Sequence, residues 1–478
     1  MFKNYLVVAL RALRRQRGHT AINVVGLAVG LACCLVIFQY VAFEYSFDRF
    51  HEHEPDLYRV TTAMARPGEP LEPGAYTPQS MAPAFTEAVP EILHVTRLHP
   101  EYDGAVVVNA AQPDRVFEEK RVFYADPVFL EMFTFPIVAG DAKRALAEPG
   151  TALVSESLAR KYFGEANPIG QVLTVNGSTE QPYRVTGVFK DIPAESSLEF
   201  DLLLPMQDLL RTGYAEEPEG GWSWNNFLTY VQLRPGVNVA EAERKMTEVF
   251  RANRAEALQQ QNLTARVFAQ PLREVHLNAA VTGPDGVLMG SHKTVYFFTI
   301  IGLITLLIAL VNYVNLATAR ALDRAREVGV RKAVGAHRGQ LVIQFLFEST
   351  LTVLAAAVLA VVLAAALSPL VNRLAETRLS AALWMNPAFW AAFVGTLAVG
   401  ALLAGLYPAF VLSSFRPVAA LKGKMGAFGG QRRLRQALVV LQFAASVVLI
   451  AGTAVVRNQI SYMRHLDLGL DLDQVLTV

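Results

Sequence analysis

Apolar residues gather in five blocks, each close to the roughly 20 residues that a helix needs to cross a bilayer. They run from Ile22 to Phe43, Val295 to Ala317, Ser349 to Leu370, Pro387 to Leu412 and Ala437 to Val456. Core helices of soluble proteins rarely stay apolar all round at this length. A backbone in lipid must also satisfy its own hydrogen bonds, so each block is predicted as a membrane-spanning helix. The fold class expected is an α-helical transmembrane bundle of five spans, with a large α+β extracytoplasmic domain inserted between spans 1 and 2.

The stretch between the first two blocks has a different texture. Arg66–Gly74 (RPGEPLEPG) breaks its first part into loops. Ser155–Phe163 is a helix candidate. Val172–Val175 and Tyr183–Phe189, joined through Asn176-Gly177, read as a hairpin with a slightly long turn. Phe227–Leu233 is a further strand. Asn238 is placed to cap a helix running to about Ala252, with Glu241 completing a capping-box-like start and Ala242, Met246, Val249 and Phe250 as its buried stripe. Interleaved helices and strands point to an α+β domain.

Charge orients the chain. The net charge of +1 conceals 34 Asp/Glu against 21 Lys/Arg between Tyr45 and Gly290. The first 19 residues hold Lys3, Arg11, Arg14, Arg15 and Arg17 and no acid. The loop after the second block holds Arg320, Arg324, Arg326, Arg331, Lys332 and Arg338 against Asp323 and Glu327. The loop after the fourth holds Arg416, Lys422, Lys424, Arg432, Arg433 and Arg435. These basic segments alternate with the apolar blocks so as to lie on one face, which the positive-inside rule makes cytoplasmic.

The resulting layout is as follows. Residues 1–19 form a basic helix lying on the membrane or a plain topogenic tail, and 20–44 form span 1. The extracytoplasmic domain is 45–291, and 292–319 form span 2. A cytoplasmic coupling helix and loop occupy 320–344, followed by span 3 at 345–371, an outside loop at 372–386 and span 4 at 387–413. A basic cytoplasmic loop at 414–436 leads to span 5 at 437–457, and 458–478 begin a second extracytoplasmic segment. The chain is expected in a bacterial inner membrane, with its N-terminus cytoplasmic. Cys33 and Cys34 lie within span 1 and, as helical neighbours about 100° apart, cannot bridge each other.

Few motifs suggest catalysis. A phosphate-cradling loop needs Lys directly after its last glycine, and in Gly290-Ser291-His292-Lys293-Thr294 the lysine is displaced by two positions. His51-Glu52-His53-Glu54, with Asp48 and Asp56 nearby, lacks the His-Glu-x-x-His spacing of a zinc helix and reads as a solvated charge cluster. Trp222 and Trp224 read as core or interface aromatics. No catalytic, cofactor or metal residue is predicted, and nothing suggests nucleic-acid binding. Within the spans, Gly26 with Gly30 and Ala401 with Gly405 form small-residue faces, and Asn312 and Asn315 are placed to bond across helices. In the loop after span 2, Glu327 and Arg331 stand at favourable i,i+4 spacing. Val330, Ala333 and Val334 make a small apolar face, and Gly335 ends the helix.

EVGVRKAVGAHRGQLVIQFLFES (327–349) closely resembles the cytoplasmic loop pattern of FtsX/MacB-type ABC transporter permeases. LRALRRQRGHTAINVVGLAVGLACCL, YPAFVLSSFRPVAALKGK and LRQALVVLQFAASVVLIAGTAVVRNQISYM resemble the same family. By position, 45–290 resembles the MacB-type periplasmic core domain. The resemblance implies a contact helix for a separate cytoplasmic ABC ATPase dimer, made of Glu327, Val328, Gly329, Val330, Arg331, Lys332, Ala333, Val334, Gly335 and Ala336. ATP and Mg would be bound by that partner, and its closure would reshape the outside domain. It also implies two four-span halves; this chain stops just after its fifth span, and is expected either to carry the first half and the opening of the second or to end there as a complete protein. The expected function is the permease subunit of an export or mechanotransmission complex. Two other readings remain open: an FtsX-like scaffold that activates an envelope partner without moving a solute, and a sensor without an ATPase. Expected partners are the ATPase dimer, the lipid bilayer, and a second permease half or an envelope protein.

Overall fold

The computed structural model of the chain describes Arg11 and residues 17–141, 145–177, 182–211, 221–278, 281, 287–321, 330, 334–335, 337–374, 384, 386–414 and 429–464. It divides into a helical unit, Met1–Val41 with Tyr296–Val478, and a sheet unit, Ala42–Val295. The helix α1 (Arg17–Glu44) opens the described chain. Strands β1 (Leu57–Ala65), β2 (Thr77–Pro78), β3 (Ile92–Pro100), β4 (Ala105–Asn109), β5 (Val116–Glu119), β6 (Val122–Ala125) and β7 (Ile137–Gly140) follow. Then come β8 (Thr151–Ser155), β9 (Val172–Val175), β10 (Tyr183–Phe189), β11 (Leu202–Pro205), β12 (Asn225–Leu233) and β13 (Thr264–Pro271). The longer helices among them are α2 (Met81–Ala88), α3 (Glu156–Phe163) and α4 (Val239–Asn253). The chain continues in α5 (His292–Ala321), α6 (Arg338–Leu374), α7 (Pro387–Ser414) and α8 (Gly429–Arg464).

The strands form one sheet in the order β13-β1-β12-β3-β6-β11-β8-β10-β9-β4-β5, with β2 on β12 and β7 on β10. Pairing is antiparallel except at β8–β10 and β6–β11. β1 is therefore held between β12 and β13. The first strand of the unit is clamped by its last two, which closes the unit on itself. Seven of nine β1 residues are buried, so burial does not alternate along it, and Arg59, Thr61 and Thr62 are among the buried ones.

Local signals account for several elements. The Ser155 hydroxyl accepts from the Leu158 N–H and starts α3. Asn176 and Gly177 both take left-handed backbone (φ 52° and 70°) where β9 turns back toward β10. Asn238 caps α4 by accepting from the Ala240 N–H. The capping box does not form, because the Glu241 carboxylate turns to Arg244 at 2.6 Å, an ion pair that competes for its oxygens. The buried stripe of α4 is Ala242, Met246, Thr247 and Phe250, with Val249 half-buried beside it.

The outer edge of β13 is covered by α4. Thr247 Oγ1 accepts from the Val267 N–H at 3.1 Å, Glu243 Oε1 accepts from the Ala269 N–H at 2.8 Å, and Arg251 Nε donates to the Ala265 carbonyl at 2.7 Å. These contacts satisfy groups that an edge strand otherwise presents to other chains. Inside, Phe123, Phe129, Phe133, Phe135, Phe189 and Phe200 build one aromatic core, and a second cluster packs α3 against β8–β10.

In the helical unit, α1, α5, α6 and α7 share a core dominated by small residues, including Ala28, Ala32, Ala309, Ala356, Ala360, Ala364 and Ala401. Close backbone approach of this kind suits helices in lipid, where apolar side chains gain little by leaving one another's company. Four helices are long and apolar enough to cross a membrane: α1, His292–Leu316 of α5, Gly339–Arg373 of α6, and Gln436–Met463 of α8. The described apolar part of α7, Pro387–Leu402, is shorter. The expectation of five spans thus meets four helices of spanning length among the described residues.

Candidate functional site

Two places bear on function: the loop between α5 and α6, and the root of the sheet unit. In the loop, the Val334 N–H donates to the Val330 carbonyl at 3.1 Å, closing one helical turn. Val330 and Val334 are exposed, at 52% and 84%. Gly335 follows in left-handed backbone (φ 100°), a conformation that ends helices and favours glycine. The His337 N–H donates to the Gln340 side-chain oxygen at 3.2 Å, and α6 begins at Arg338. The remaining predicted contact residues, Glu327, Val328, Gly329, Arg331, Lys332, Ala333 and Ala336, lie outside the described residues, as does nearly all of 1–19. From this turn α6 runs unbroken for 37 residues. Tyr313 of α5, itself buried, reaches the Ser349 carbonyl of α6 at 3.5 Å.

The small residues of α1 face α5. A Cβ at Gly30 would stand 2.5 Å from Ala309 Cβ, and one at Gly26 would stand 3.5 Å from the Asn312 amide nitrogen. Ala401 is buried in the shared core. The neighbouring Gly400 comes close to Leu310. Gly405 lies on α7, where side-chain surroundings are not described. Asn315 makes no cross-helix bond among the described residues. Its amide is buried and neither polar atom has a hydrogen-bond partner.

The root of the sheet unit corrects the reading of Asp48 and His51 as solvated. Asp48 turns the chain at φ 60° and is buried. Its N–H donates to the Glu195 carbonyl, and its Oδ1 accepts from the Ser197 N–H, both at 2.8 Å. His51 is buried against Phe133 and Phe135, and its Nδ1 accepts from the Thr134 N–H at 3.0 Å. The turn tucks both side chains under the aromatic core, whereas Glu52 stays exposed. Burial pushes the Asp48 carboxyl up to about 6 and the His51 imidazole down to about 3. Beside them, Glu44, the last residue of α1, faces His276 Nε2 at 3.0 Å, and Phe47 stacks on the same imidazole at 3.4 Å. The Gly290 N–H donates to the His276 carbonyl at 2.7 Å. Sequence reading missed Glu44 and His276; the one available signal was an acid closing an otherwise uncharged apolar run. Trp222 is buried against Phe250, while Trp224 is exposed at 56%, so only the first behaves as a core aromatic. Among the described residues no group of His, Cys, Asp and Glu is arranged to hold a metal ion.

These features define a membrane protein whose sheet unit is inserted between two apolar helices. Residues 20–249 match the MacB-like periplasmic core domain, and 299–417 match the FtsX-like permease C-terminal domain. The chain belongs to the FtsX/MacB-type ABC transporter permeases. It is 22% identical over 280 residues to the uncharacterized ABC transporter permease YknZ of Bacillus subtilis, covering 58% of this chain and 62% of that protein. It is 24% identical over 420 residues to the macrolide export ATP-binding/permease protein MacB of Marinobacter nauticus, covering 86% of this chain and 60% of that one. The crystal structure of the periplasmic region of MacB from Actinobacillus actinomycetemcomitans aligns with 14% identity and a TM-score of 0.31, over 44% of this chain and 87% of that one. The chain spans about three fifths or less of the length of these curated relatives.

Proposed function

We propose that this chain is the membrane permease subunit of an ABC-type export or mechanotransmission complex, driven by a separate cytoplasmic ATPase dimer that holds the ATP and Mg. In this reading α7 is a fifth span, the N-terminus and the 320–344 loop are cytoplasmic, and the sheet unit is periplasmic. The ATPase docks on the segment Glu327–Ala336. The observation that carries the reading is the foot of α6: two exposed valines close on a left-handed glycine and lead straight into a 37-residue helix. Exposed apolar side chains on one turn, flanked by Arg331 and Lys332, suit a partner groove with an acidic rim. A stiff helix then carries displacement of that turn along α6. Membership of a permease family supports the same reading, as do the relatives named for macrolide export.

The test is co-purification of the full chain with its ATPase, followed by ATP hydrolysis in nanodiscs. Reversing both charges, Arg331→Glu with Lys332→Glu, should abolish capture of the ATPase and stimulation of its turnover. Retention of both would refute the docking site. If capture and turnover depend on the loop but no solute crosses the membrane, the complex transmits force and does not export.

A further inference from the structure

The Glu44–His276 pair lies wholly within the sheet unit and ties together the two chain segments that lead into α1 and α5. Hydrogen-bond chemistry fixes its proton count. His276 Nδ1 stands 2.8 Å from the Leu288 carbonyl. A carbonyl can only accept, so Nδ1 carries a proton. That leaves Nε2, 3.0 Å from Glu44 Oε2. With Nδ1 protonated, a neutral imidazole offers Nε2 as an acceptor, and an ionised carboxylate is also an acceptor. Two acceptors do not bond. The contact needs one further proton, either on Nε2 as imidazolium or on the carboxyl. Both side chains are buried, so water does not stand in for it.

We propose that this pair is a proton-loaded latch: it closes on one bound proton and opens with that proton's release to solvent. Separated and solvated near neutral pH, a carboxylate is ionised and most imidazole is neutral. The open state thus holds one proton fewer. By linkage, the closed state is favoured at low pH and weakens as pH rises. Other ionisable groups stand around the pair: the His292 N–H donates to the Leu277 carbonyl, and its ring lies 6.5 Å from that of Tyr45. Asp48 faces His276 electrostatically, and beyond Asp48 stand Glu54, Arg59 and Tyr230. An ionised Asp48 favours the added proton. Residues 287–290, which pack on the other side, carry no charge. Gly290 is required for closure, since a Cβ there would stand 2.6 Å from Glu44 Oε2 and 2.7 Å from His276 Nε2.

The latch stands on its own geometry and does not depend on the ATPase reading. The test uses the full chain in nanodiscs. Amide hydrogen exchange is followed at Gly290 and His292, whose N–H groups donate to the His276 and Leu277 carbonyls, with each rate divided by that of the unstructured chain at the same pH. Around neutral pH, protection in the wild type should fall as pH rises, by at most the tenfold per pH unit that release of one proton allows. Glu44→Gln replaces the carboxylate with an amide that donates to neutral Nε2 and needs no proton. Its protection should not vary over the same range. His276→Gln, which lets an amide donate to the ionised Glu44, should flatten the profile in the same way and serves if the first variant does not accumulate. A flat wild-type profile overturns the proposal, as does a wild-type slope that survives in either glutamine variant.

Discussion

Replacing Gly30 with alanine tests whether α1 and α5 meet as closely as their backbones indicate. The new Cβ would stand 2.5 Å from Ala309 Cβ and 3.6 Å from Ala309 Cα. Carbon atoms rest about 3.5–4.0 Å apart, so the methyl groups overlap by about 1 to 1.5 Å and neither can rotate away. The helices must separate by about that distance, loosening the cluster that includes Leu27, Leu31 and Tyr313. Overpacking of this kind costs about 1–3 kcal/mol. Ala309→Gly removes the opposing methyl, so the two changes together should cost less than their sum, with a coupling of about 1 kcal/mol or more. Unfolding of the four proteins of this cycle in mixed micelles, followed by tryptophan fluorescence, gives the comparison. If Gly30→Ala stays within about 0.5 kcal/mol of wild type, or if Ala309→Gly gives no relief, the close approach is refuted.

Gly140 of β7 takes φ 92°, and a Cβ there would stand 2.2 Å from the Thr186 carbonyl oxygen. Gly140→Ala should therefore lower the melting temperature and strip β7 from β10, read as loss of exchange protection at Ala139 and Val188. His51 is held neutral well below its ordinary range, so the folded state binds fewer protons there than the unfolded chain. Its contribution is complete above about pH 6.5 and is lost as pH falls toward about 3. His51→Gln should flatten the acid limb of the stability curve measured by denaturant titration between about pH 6 and 4; an unchanged limb would locate the acid sensitivity elsewhere.

The long helices could be read from the sequence because lipid imposes one rule, a run of sufficient apolar length. The same rule says nothing of where a helix begins: α6 starts at Arg338, ahead of the apolar stretch, because a length criterion does not see the polar turn that precedes it. Gly26 and Gly30 were legible from their four-residue spacing, and the structure turns both toward α5. Strands β9 and β10 and helices α3 and α4 carried local turn or cap signals. The order of the sheet did not, because β1 pairs with strands far along the chain. Glu44 and His276 are 232 positions apart, so no spacing rule joins them. Asp48 and His51 misled for the opposite reason: a run of charges looks hydrated until a turn folds it beneath phenylalanines.

The cover that α4 lays along β13 has a bearing on biosynthesis. The ribosome releases Val239–Asn253 ahead of Thr264–Pro271, so the segment that becomes the shield is synthesised before the margin it protects. The reverse arrangement would have left a bare strand waiting in a crowded compartment, free to recruit its neighbours into aggregates.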